Sequence, residues 1–454
     1  MRVTVLAFAI GIALMVVGLA VSIALHELGH LVPAKKFGVR VGQYMIGFGP
    51  TLWSKRIGET QYGFKAIPLG GYISMAGMYP PSPALRPPRT SGSDTGGHRA
   101  GRAGGGFFAT MVQDARAVND ETLLSGEDDH VFYKLPVWKR VVIMLGGPVM
   151  NLLFAMVLFA ILLSGIGVQT ATTTVSSVSE CIIPAEADRT ECAASDPAAP
   201  AAAAGLQPGD VIVTVDGQQI ATFAEASAII RESPGEQLSI VVERDGEQRT
   251  ITLTPIAIDQ PVTDAAGRPV LDEKGDAQTQ EVGFAGIRQE VEYLRQPIWA
   301  GPAAAVENVG AVAGIIWQLP VKVYETAVTL VTGGERDPNG PLSIVGAGIL
   351  SGEVAAADAP VLNRVAGFLG LLASLNIALF VFNLIPLLPL DGGHIVVALW
   401  DGIKRVWAKV LRRPPPKPVD ATKLVPVTFV VVIGLIAMGA VLILADIFNP
   451  VSLF

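Results

Sequence analysis

Residues 2–36 read RVTVLAFAIGIALMVVGLAVSIALHELGHLVPAKK, a long apolar run that ends in the polar pattern HELGH. The run is longer than the core of a signal peptide and no convincing cleavage site of small residues follows it, which predicts a retained transmembrane helix over residues 1–36. Of the 454 residues, 50% are hydrophobic and 16% charged, and the mean hydropathy is +0.48. These values exclude an ordinary soluble protein and predict a mainly α-helical membrane protein.

Three further apolar runs are long enough to cross a bilayer, at about residues 141–168, 365–385 and 424–445. The sequence therefore predicts four transmembrane helices. A fifth candidate, residues 302–330, is interrupted by charged residues and by Pro320, and we predict that it forms an interfacial amphipathic helix. A fifth crossing here would also place Asp391 on the opposite membrane face from His26 and His30.

Positive charge in the segments that join the helices predicts the orientation of the chain. Lys and Arg residues crowd the first and third connecting segments, namely Lys35, Lys36, Arg40, Lys55, Arg56, Lys65, Lys139, Arg140, Lys404, Arg405, Lys409, Arg412, Arg413 and Lys417. The positive-inside rule places both segments in the cytoplasm, and the long middle segment and both termini outside. The middle segment holds Cys181 and Cys192. The sequence leaves two alternatives for them, a disulfide or two free thiols.

Composition predicts the remaining organisation of the chain. Residues 37–78 alternate apolar residues with glycines, which predicts a membrane-associated β-hairpin region, and residues 79–134 are rich in Pro, Gly and Ser, which predicts a flexible cytoplasmic linker. Residues 169–290 contain short strands around one helix and predict a small extracytoplasmic α/β domain. The other predicted segments are transmembrane helix 2 at 135–168, interfacial amphipathic helices at 291–362, transmembrane helix 3 at 363–400, a basic cytoplasmic loop at 401–423 and transmembrane helix 4 at 424–448.

The pattern HELGH carries the strongest chemical signal in the chain. His26 and His30 are four residues apart, so a helix places both imidazoles on one face with Glu27 beside them. Such a pattern predicts two Zn²⁺ ligands and a general base. The alternative is a pair of structural histidines packed in a helix bundle, but three polar side chains in a membrane helix are costly unless function requires them.

A catalytic zinc ion needs a third protein ligand and an open position for water. The candidate is Asp391, within NLIPLLPLDGGH at residues 383–394, at the cytoplasmic end of the third predicted span. The topology that the charges predict thus brings His30 and Asp391 to the same membrane depth. His394, three residues further along the chain, is the alternative third ligand.

Five motifs resemble those of the site-2 protease family of intramembrane zinc metalloproteases. They are HELGH, GFGP at residues 47–50, PLGGY at 68–72, GPVMN at 147–151 and NLIPLLPLDGG at 383–393. Their order and spacing match along nearly the whole chain. The resemblance is to the bacterial sigma-factor-regulating branch, which has four spans and an extracytoplasmic PDZ region, and AGLQPGDVI at residues 204–212 resembles a PDZ element.

The resemblance implies a zinc metalloendopeptidase that cuts the transmembrane segment of a single-pass protein, such as an anti-sigma factor already trimmed outside the membrane. The residues it implies are the ligands His26, His30 and Asp391, the base Glu27, and Asn151 and Asn383 near the active site, with Asn383 in contact with the substrate. It further implies a multi-pass protein of the bacterial inner membrane, with its active site toward the cytoplasm and its PDZ region outside. Membrane lipids are expected partners, whereas nothing in the sequence predicts nucleic acid binding.

Substrate unwinding gives one further prediction. A helical substrate hides its carbonyls in hydrogen bonds, so cleavage needs an extended segment that a strand edge can pair with. Gly47, Phe48 and Gly49 are the predicted edge.

The PDZ-like region departs from the family pattern in two ways. Only one PDZ-like copy is recognisable, and the stretch from Cys181 to Cys192 resembles an insertion in it.

Two other classes of protein share parts of the pattern. A catalytically silent membrane scaffold could bind partners through a PDZ region, but it would need no set of metal ligands. A zinc transporter would also place His and acidic residues in its spans, but it usually distributes ligands over more helices.

Overall fold

A computed structural model describes residues 2–78, 130–182, 192–193, 196–262, 278–334, 336–338, 340–414, 416–419 and 421–451. The chain divides into two compact units, a helical unit (Met1–Ile166 with Pro297–Phe454) and a β-rich unit (Gly167–Gln296). Residues 79–129 of the predicted linker lie outside the described residues. The end of that linker is packed rather than flexible, because Val131 and Phe132 are buried.

The secondary structure follows the hydropathy pattern of the sequence. The helices are α1 Arg2–Lys36, α2 Val137–Ala160, α3 Pro200–Ala203, α4 Phe223–Glu232, α5 Ala300–Thr332, α6 Ile344–Ala356, α7 Val361–Asn383, α8 Asp391–Val410 and α9 Val425–Phe448. The strands are β1 Val41–Ile57, β2 Thr60–Met75, β3 Val168–Val178, β4 Val211–Val215, β5 Gln218–Gln219, β6 Leu238–Arg244, β7 Glu247–Leu253, β8 Ile256–Pro261, β9 Thr279–Phe284 and β10 Ile287–Leu294. Among the described residues, α1, α2, α5, α7 and α9 are long and apolar enough to cross a membrane.

Small and polar residues set the packing of the helical unit. A Cβ built on Gly29 would collide with the carbonyl oxygen of Gly146, so α1 and α2 meet at backbone distance. Two turns earlier on α1, the buried amide of Asn376 in α7 donates to the hydroxyl of Ser22 at 2.9 Å. Because lipid chains are as apolar as Leu, close approach and polar contacts of this kind are what hold helices together in a membrane.

Helix α5 corresponds to the predicted interfacial helix, but it is longer and is continuous through Pro320. Its first turn lies beside the end of α2, because a Cβ on Gly301 would collide with Ala160. Just beyond its last turn, the guanidinium of Arg336 pairs with the carboxylate of Asp446 at 2.6 Å, in the last turn of α9. Both ends of α5 are therefore fixed to the C-terminal ends of other helices.

The structure replaces the predicted single helix over residues 363–400 with two helices. The chain leaves the helical conformation over residues 384–390, between α7 and α8. Pro386 and Pro389 explain the break, because proline donates no N–H and disfavours a helical conformation in the residue before it. Helix α8 then continues to Val410, so the first half of the predicted cytoplasmic loop at 401–423 is helical.

Strands β1 and β2 form a bent antiparallel hairpin beside α1. Met45 is in register with both Tyr72 and Gly63, so each long strand bends and the hairpin folds back on itself into a four-segment sheet. Gly47 and Gly49 allow the bend in β1, because their φ angles of +95° and +85° suit glycine.

The β-rich unit is built on a sheet with strand order β10-β3-β4-β6-β7, with β5 beside β4, and β8 and β9 form a separate pair. Apolar side chains from the sheet and α4 form its core. Arg244 holds the fully buried carboxylate of Asp210 through contacts of 2.6 and 2.7 Å. Cys181 and Cys192 form a disulfide, which decides the alternative that the sequence left open.

Candidate metal centre

Three side chains from two helices converge at the end of α1. Nε2 of His26 lies 3.2 Å from Nε2 of His30. Oδ2 of Asp391 lies 3.3 Å from the first of these nitrogens and 3.4 Å from the second. The three atoms thus form a nearly equilateral triangle, and among the described residues they are the group of His, Cys and acidic side chains that could hold a metal ion.

The size of this triangle matches a tetrahedral zinc site. Zinc bonds to nitrogen and oxygen ligands of about 2.0–2.1 Å give a tetrahedral edge of about 3.3–3.4 Å. The observed spacings of 3.2, 3.3 and 3.4 Å match that edge to within about 0.1 Å. Three protein ligands would leave the fourth position open, as a catalytic zinc site requires.

Two local features bring the ligands together. The spacing of His26 and His30 stacks their rings on one face of α1, with centroids 4.9 Å apart. Asp391 is the first residue of α8, directly after the break that the prolines impose. Without that break the chain would continue as α7, and Asp391 would lie two turns further along that helix.

A backbone carbonyl orients His30. Nδ1 of His30 lies 2.7 Å from the carbonyl oxygen of Ile143 in α2. Because a carbonyl only accepts hydrogen bonds, Nδ1 carries the proton and Nε2 presents its lone pair toward His26 and Asp391. A ring fixed in this tautomer is the one that binds a metal through Nε2.

Glu27 lies beside the triangle but is not one of its three corners. Its side chain is 8% exposed and lies between α1 and the sheet. A Cβ built on Gly71 in β2 would lie 3.0 Å from Cγ of Glu27, so the sheet approaches this carboxylate at backbone distance. Glu27 is therefore enclosed between α1 and the sheet, one residue along the chain from His26.

The other residues singled out in the sequence belong to α7, α2 and the β1–β2 hairpin. The amide of Asn383 donates to the carbonyl of Leu379 within α7 at 3.0 Å. Asn151 in α2 is buried, and neither of its amide atoms has a hydrogen-bond partner among the described residues. Phe48 is 47% exposed and packs over Gly70.

The remaining histidines do not join the triangle. His394 lies one helical turn beyond Asp391 on α8, beside a small cavity that Arg140 and Asp401 also line. His130 lines a separate cavity next to Gly38, and His98 is outside the described residues.

Sequence reasoning gave no role to the glycines that make the centre possible. A Cβ on Gly147 would collide with Nε2 of His30, and Gly71 admits the sheet next to Glu27. Both residues had been noted only as parts of the motifs GPVMN and PLGGY. The signal that could have found them is glycine in otherwise apolar segments, which indicates close approach of another group.

Comparison with known proteins identifies the family of this chain. The sequence pattern of the family described as "Peptidase family M50" matches residues 14–413. The chain belongs to this family. It is therefore a multi-pass membrane protein and a zinc metalloprotease of the site-2 protease type, as the resemblance implied.

Individual relatives match this M50 protease over almost its full length. The zinc metalloprotease Rip1 of Mycobacterium tuberculosis (strain H37Rv) is 33% identical over 458 residues, which cover 98% of this chain and 99% of Rip1. Rip1 of Mycolicibacterium smegmatis is 33% identical over 462 residues, again 98% and 99% of the two chains. The metalloprotease MmpA of Caulobacter vibrioides is 28% identical over 413 residues, or 87% and 88% of the two chains.

Proposed function

We propose that this protein hydrolyses a peptide bond within the membrane-spanning segment of a single-pass protein. The observation that carries the proposal is the triangle of His26, His30 and Asp391, with Glu27 beside it, at the ends of apolar helices. The triangle fits a zinc ion, and its place among apolar helices supports chemistry at membrane depth.

Each residue of the centre has a separate task. His26, His30 and Asp391 would hold zinc, which when bound polarises the scissile carbonyl and makes a neighbouring water more acidic. The Glu27 carboxylate accepts the proton of that water as its oxygen attacks the carbonyl carbon. Glu27 then passes the proton to the nitrogen of the leaving amine, so that the carbon–nitrogen bond breaks and two chain ends are released.

The membrane topology is part of this proposal: α1, α2, α7 and α9 cross the bilayer, whereas α5 lies along the outer surface. Met15 in the N-terminal half of α1 packs in one cluster with Phe159 at the end of α2. The end of α9 contacts Gly346 of α6 through Asp446, and α6 packs on Gly11 of α1. The ends of α2 and α9, which hold the two ends of α5, are thus on the side of α1 that is distant from the metal centre.

Labelling of introduced cysteines tests this topology. Trp317, near the middle of α5, is 87% exposed, and Val430 in α9 is 64% exposed. In intact membrane vesicles we expect a membrane-impermeant maleimide added from outside to label Trp317→Cys and to leave Val430→Cys unlabelled. The native cysteines do not interfere, because they form a disulfide. A Trp317→Cys variant that stays unlabelled would instead support a fifth crossing.

We infer that the sheet holds the substrate in an extended form. Gly70 and Gly71 lie next to Phe48 and Glu27 respectively, so the strand segment after residue 70 runs past the catalytic carboxylate. The predicted edge at Gly47, Phe48 and Gly49 forms the bend beside it. An unwound substrate segment paired with this part of the sheet would expose its carbonyl to the metal centre.

We assign the β-rich unit to substrate selection as a PDZ-like domain outside the cell membrane. A groove of about 320 Å³ runs between Phe223 on α4 and the turn at Gly283–Ile287, which supports binding of an extended chain end. An anti-sigma factor that another protease has already cut outside the membrane is the proposed substrate.

The charge of the connecting segments bears on the orientation of the chain. The basic segments that join α1 to α2 and α8 to α9 support an inner-membrane protein with its metal centre toward the cytoplasm.

The deciding experiment is cleavage of a single-pass model substrate by the purified protein, with zinc content measured on the same samples. We expect the wild type to cut and the isosteric variant Glu27→Gln to retain zinc but lose cutting, because only the proton acceptor is removed. Cutting that survives in Glu27→Gln, or that continues after zinc is removed, would contradict the mechanism. Zinc transport into vesicles without any cutting would favour a transporter.

A further inference from the structure

Helix α8, which begins with Asp391, carries an exposed apolar stripe along its second half. Trp400, Ile403, Val406, Trp407 and Val410 recur every three or four residues, so they lie on one face of the helix. Their exposed fractions are 55%, 55%, 65%, 67% and 71% in that order. Large apolar side chains thus become more exposed toward the end of the helix.

The opposite face of α8 is fixed against α2, so the stripe cannot turn inward. Asp401 is buried and its carboxylate pairs with Arg140 of α2 at 3.0 Å. Gly402 packs on Val137, the first residue of α2. The second oxygen of Asp401 accepts from the N–H of Val419 at 2.8 Å, which ties the following segment to the same point.

The last part of α8 and the segment that follows it are rich in positive charge. Six cationic residues and no acidic residue occur between residues 402 and 419, namely Lys404, Arg405, Lys409, Arg412, Arg413 and Lys417. Lys409, Arg412 and Arg413 are exposed. Asp401, which precedes this segment, pairs with Arg140 and also lies 3.6 Å from Lys404.

The stripe lies at the level where the neighbouring helices begin. Trp138, next to the start of α2, is 58% exposed, and Gly402 contacts that same turn through Val137. Exposed Trp residues beside cationic residues are typical of the boundary between the acyl chains and the headgroups of a bilayer. Helix α9 offers a contrast, since it is exposed and apolar over most of its length but contains no Lys or Arg.

We propose that residues 400–413 form a binding surface for anionic lipids, in which the stripe inserts among acyl chains and the cations contact headgroup phosphates. This inference rests on the membrane orientation given under the proposed function, but not on cleavage. A partner protein is the less favoured occupant because a charge pattern of one sign suits a surface of uniform opposite charge. Each Lys or Arg at an anionic surface strengthens binding about fivefold, so three cations give about a hundredfold.

Quenching by brominated lipids tests the proposal on the full-length protein in nanodiscs. Two preparations have the same mixture of phosphatidylcholine with a minor share of phosphatidylglycerol and differ only in which lipid carries bromine. The signal of Trp400 and Trp407 is obtained by subtracting that of the variant Trp400→Phe with Trp407→Phe. We expect brominated phosphatidylglycerol to quench this signal more, per brominated molecule, than brominated phosphatidylcholine.

Charge variants with equal net change separate a local site from general attraction. The excess quenching is the quenching by brominated phosphatidylglycerol minus that by brominated phosphatidylcholine. In the variant Lys409→Gln with Arg412→Gln and Arg413→Gln, the share of phosphatidylglycerol that gives half of the maximal excess should rise at least about tenfold. The matched control removes three exposed cations of the β-rich unit, Arg249→Gln with Arg288→Gln and Arg295→Gln, and should match the wild type. Unchanged quenching by brominated phosphatidylcholine in all three proteins shows that α8 is still in place.

Equal quenching by the two brominated lipids in the wild type would overturn the proposal and point to a protein segment on the stripe. An excess that persists in the α8 charge variant would overturn it as well. The measurement needs neither a substrate nor zinc, so it can succeed or fail independently of the proposed protease activity.

Discussion

Gly147 of α2 lies against the imidazole of His30, so closely that a Cβ at residue 147 would collide with Nε2. The same ring is held from its other nitrogen by the carbonyl of Ile143 at 2.7 Å. One turn of α2 thus fixes both the tautomer and the position of this ligand. Because the added carbon can only be accommodated if the ring or the helix moves, residue 147 controls the geometry of the metal centre.

We therefore expect Gly147→Ala to lower zinc affinity about 10–100-fold, the range found when groups that orient a ligand are disturbed. Competition with a chelator on the purified protein measures this affinity. Gly439→Ala in α9 is the matched control, because a Cβ there meets nothing within 4 Å. If Gly147→Ala bound zinc as tightly as Gly439→Ala does, His30 would not be held in the way described.

The buried ion pair between Arg140 and Asp401 gives a prediction on stability. The two side chains are 5% and 2% exposed, and removal of one partner leaves the other charge buried and unpaired. Asp401→Ala should lower the free energy of unfolding by about 3–5 kcal/mol, measured by denaturant unfolding in detergent. Replacement of both charges, in Arg140→Met with Asp401→Leu, should recover most of that loss.

The exposed pair of Lys322 and Asp337 is the control for this ion pair. Its side chains are 21% and 49% exposed, so Asp337→Ala should cost no more than about 1 kcal/mol. Equal losses in Asp401→Ala and Asp337→Ala would show that the pair between α2 and α8 is not a buried anchor.

The metal centre could be predicted from the sequence because each of its parts leaves a regular trace. Helical spacing puts His26 and His30 on one face, and the distribution of cationic residues puts Asp391 at the same depth. Neither argument needs tertiary structure. Helical periodicity and the distribution of charge were thus sufficient to predict the candidate metal centre. These are the two signals that a single sequence shows most clearly.

Other features depend on contacts that a sequence does not display. The carbonyl of Ile143 belongs to the main chain, so no residue type marks it. The long helix α5 runs without a break through Pro320, where charges and proline weaken the apolar pattern of the sequence. The start of α8 at Asp391 depends on the break at Pro386 and Pro389. The residues around these prolines are apolar, so the hydropathy pattern does not mark the break.

The ion pair of Asp210 and Arg244 makes the β-rich unit sensitive to acid. Burial alone would raise the pKa of Asp210, but hydrogen bonds from Arg244 and from the N–H of Gln207 outweigh it and lower the pKa below its usual value. A carboxyl with a lowered pKa in the folded state stabilises that state above its unfolded pKa of about 3.9. This contribution is lost as the pH falls below that value toward the folded-state pKa.

Arg244→Met should therefore weaken the acid dependence of the unit while it also lowers stability near neutral pH. Hydrogen exchange of the β6 amides in the full-length chain reports on this unit, with variant and wild type compared at each pH. Arg288→Met, which replaces an exposed arginine on β10, should follow the wild type. A difference between Arg244→Met and wild type that stayed constant from neutral pH to below about pH 4 would contradict the assignment.

The choice between Asp391 and His394 as third ligand is the last prediction. Oδ2 of Asp391 lies 3.3 and 3.4 Å from the two imidazole nitrogens, whereas His394 is placed one turn away beside Arg140 and Asp401. Asp391→Ala should thus lose both zinc and cleavage, and His394→Ala should keep zinc at the wild-type stoichiometry. Metal analysis of the two purified variants decides between them. Zinc retained in Asp391→Ala and lost in His394→Ala would reverse the assignment, because the ligand that remains would then have to come from the second turn of α8.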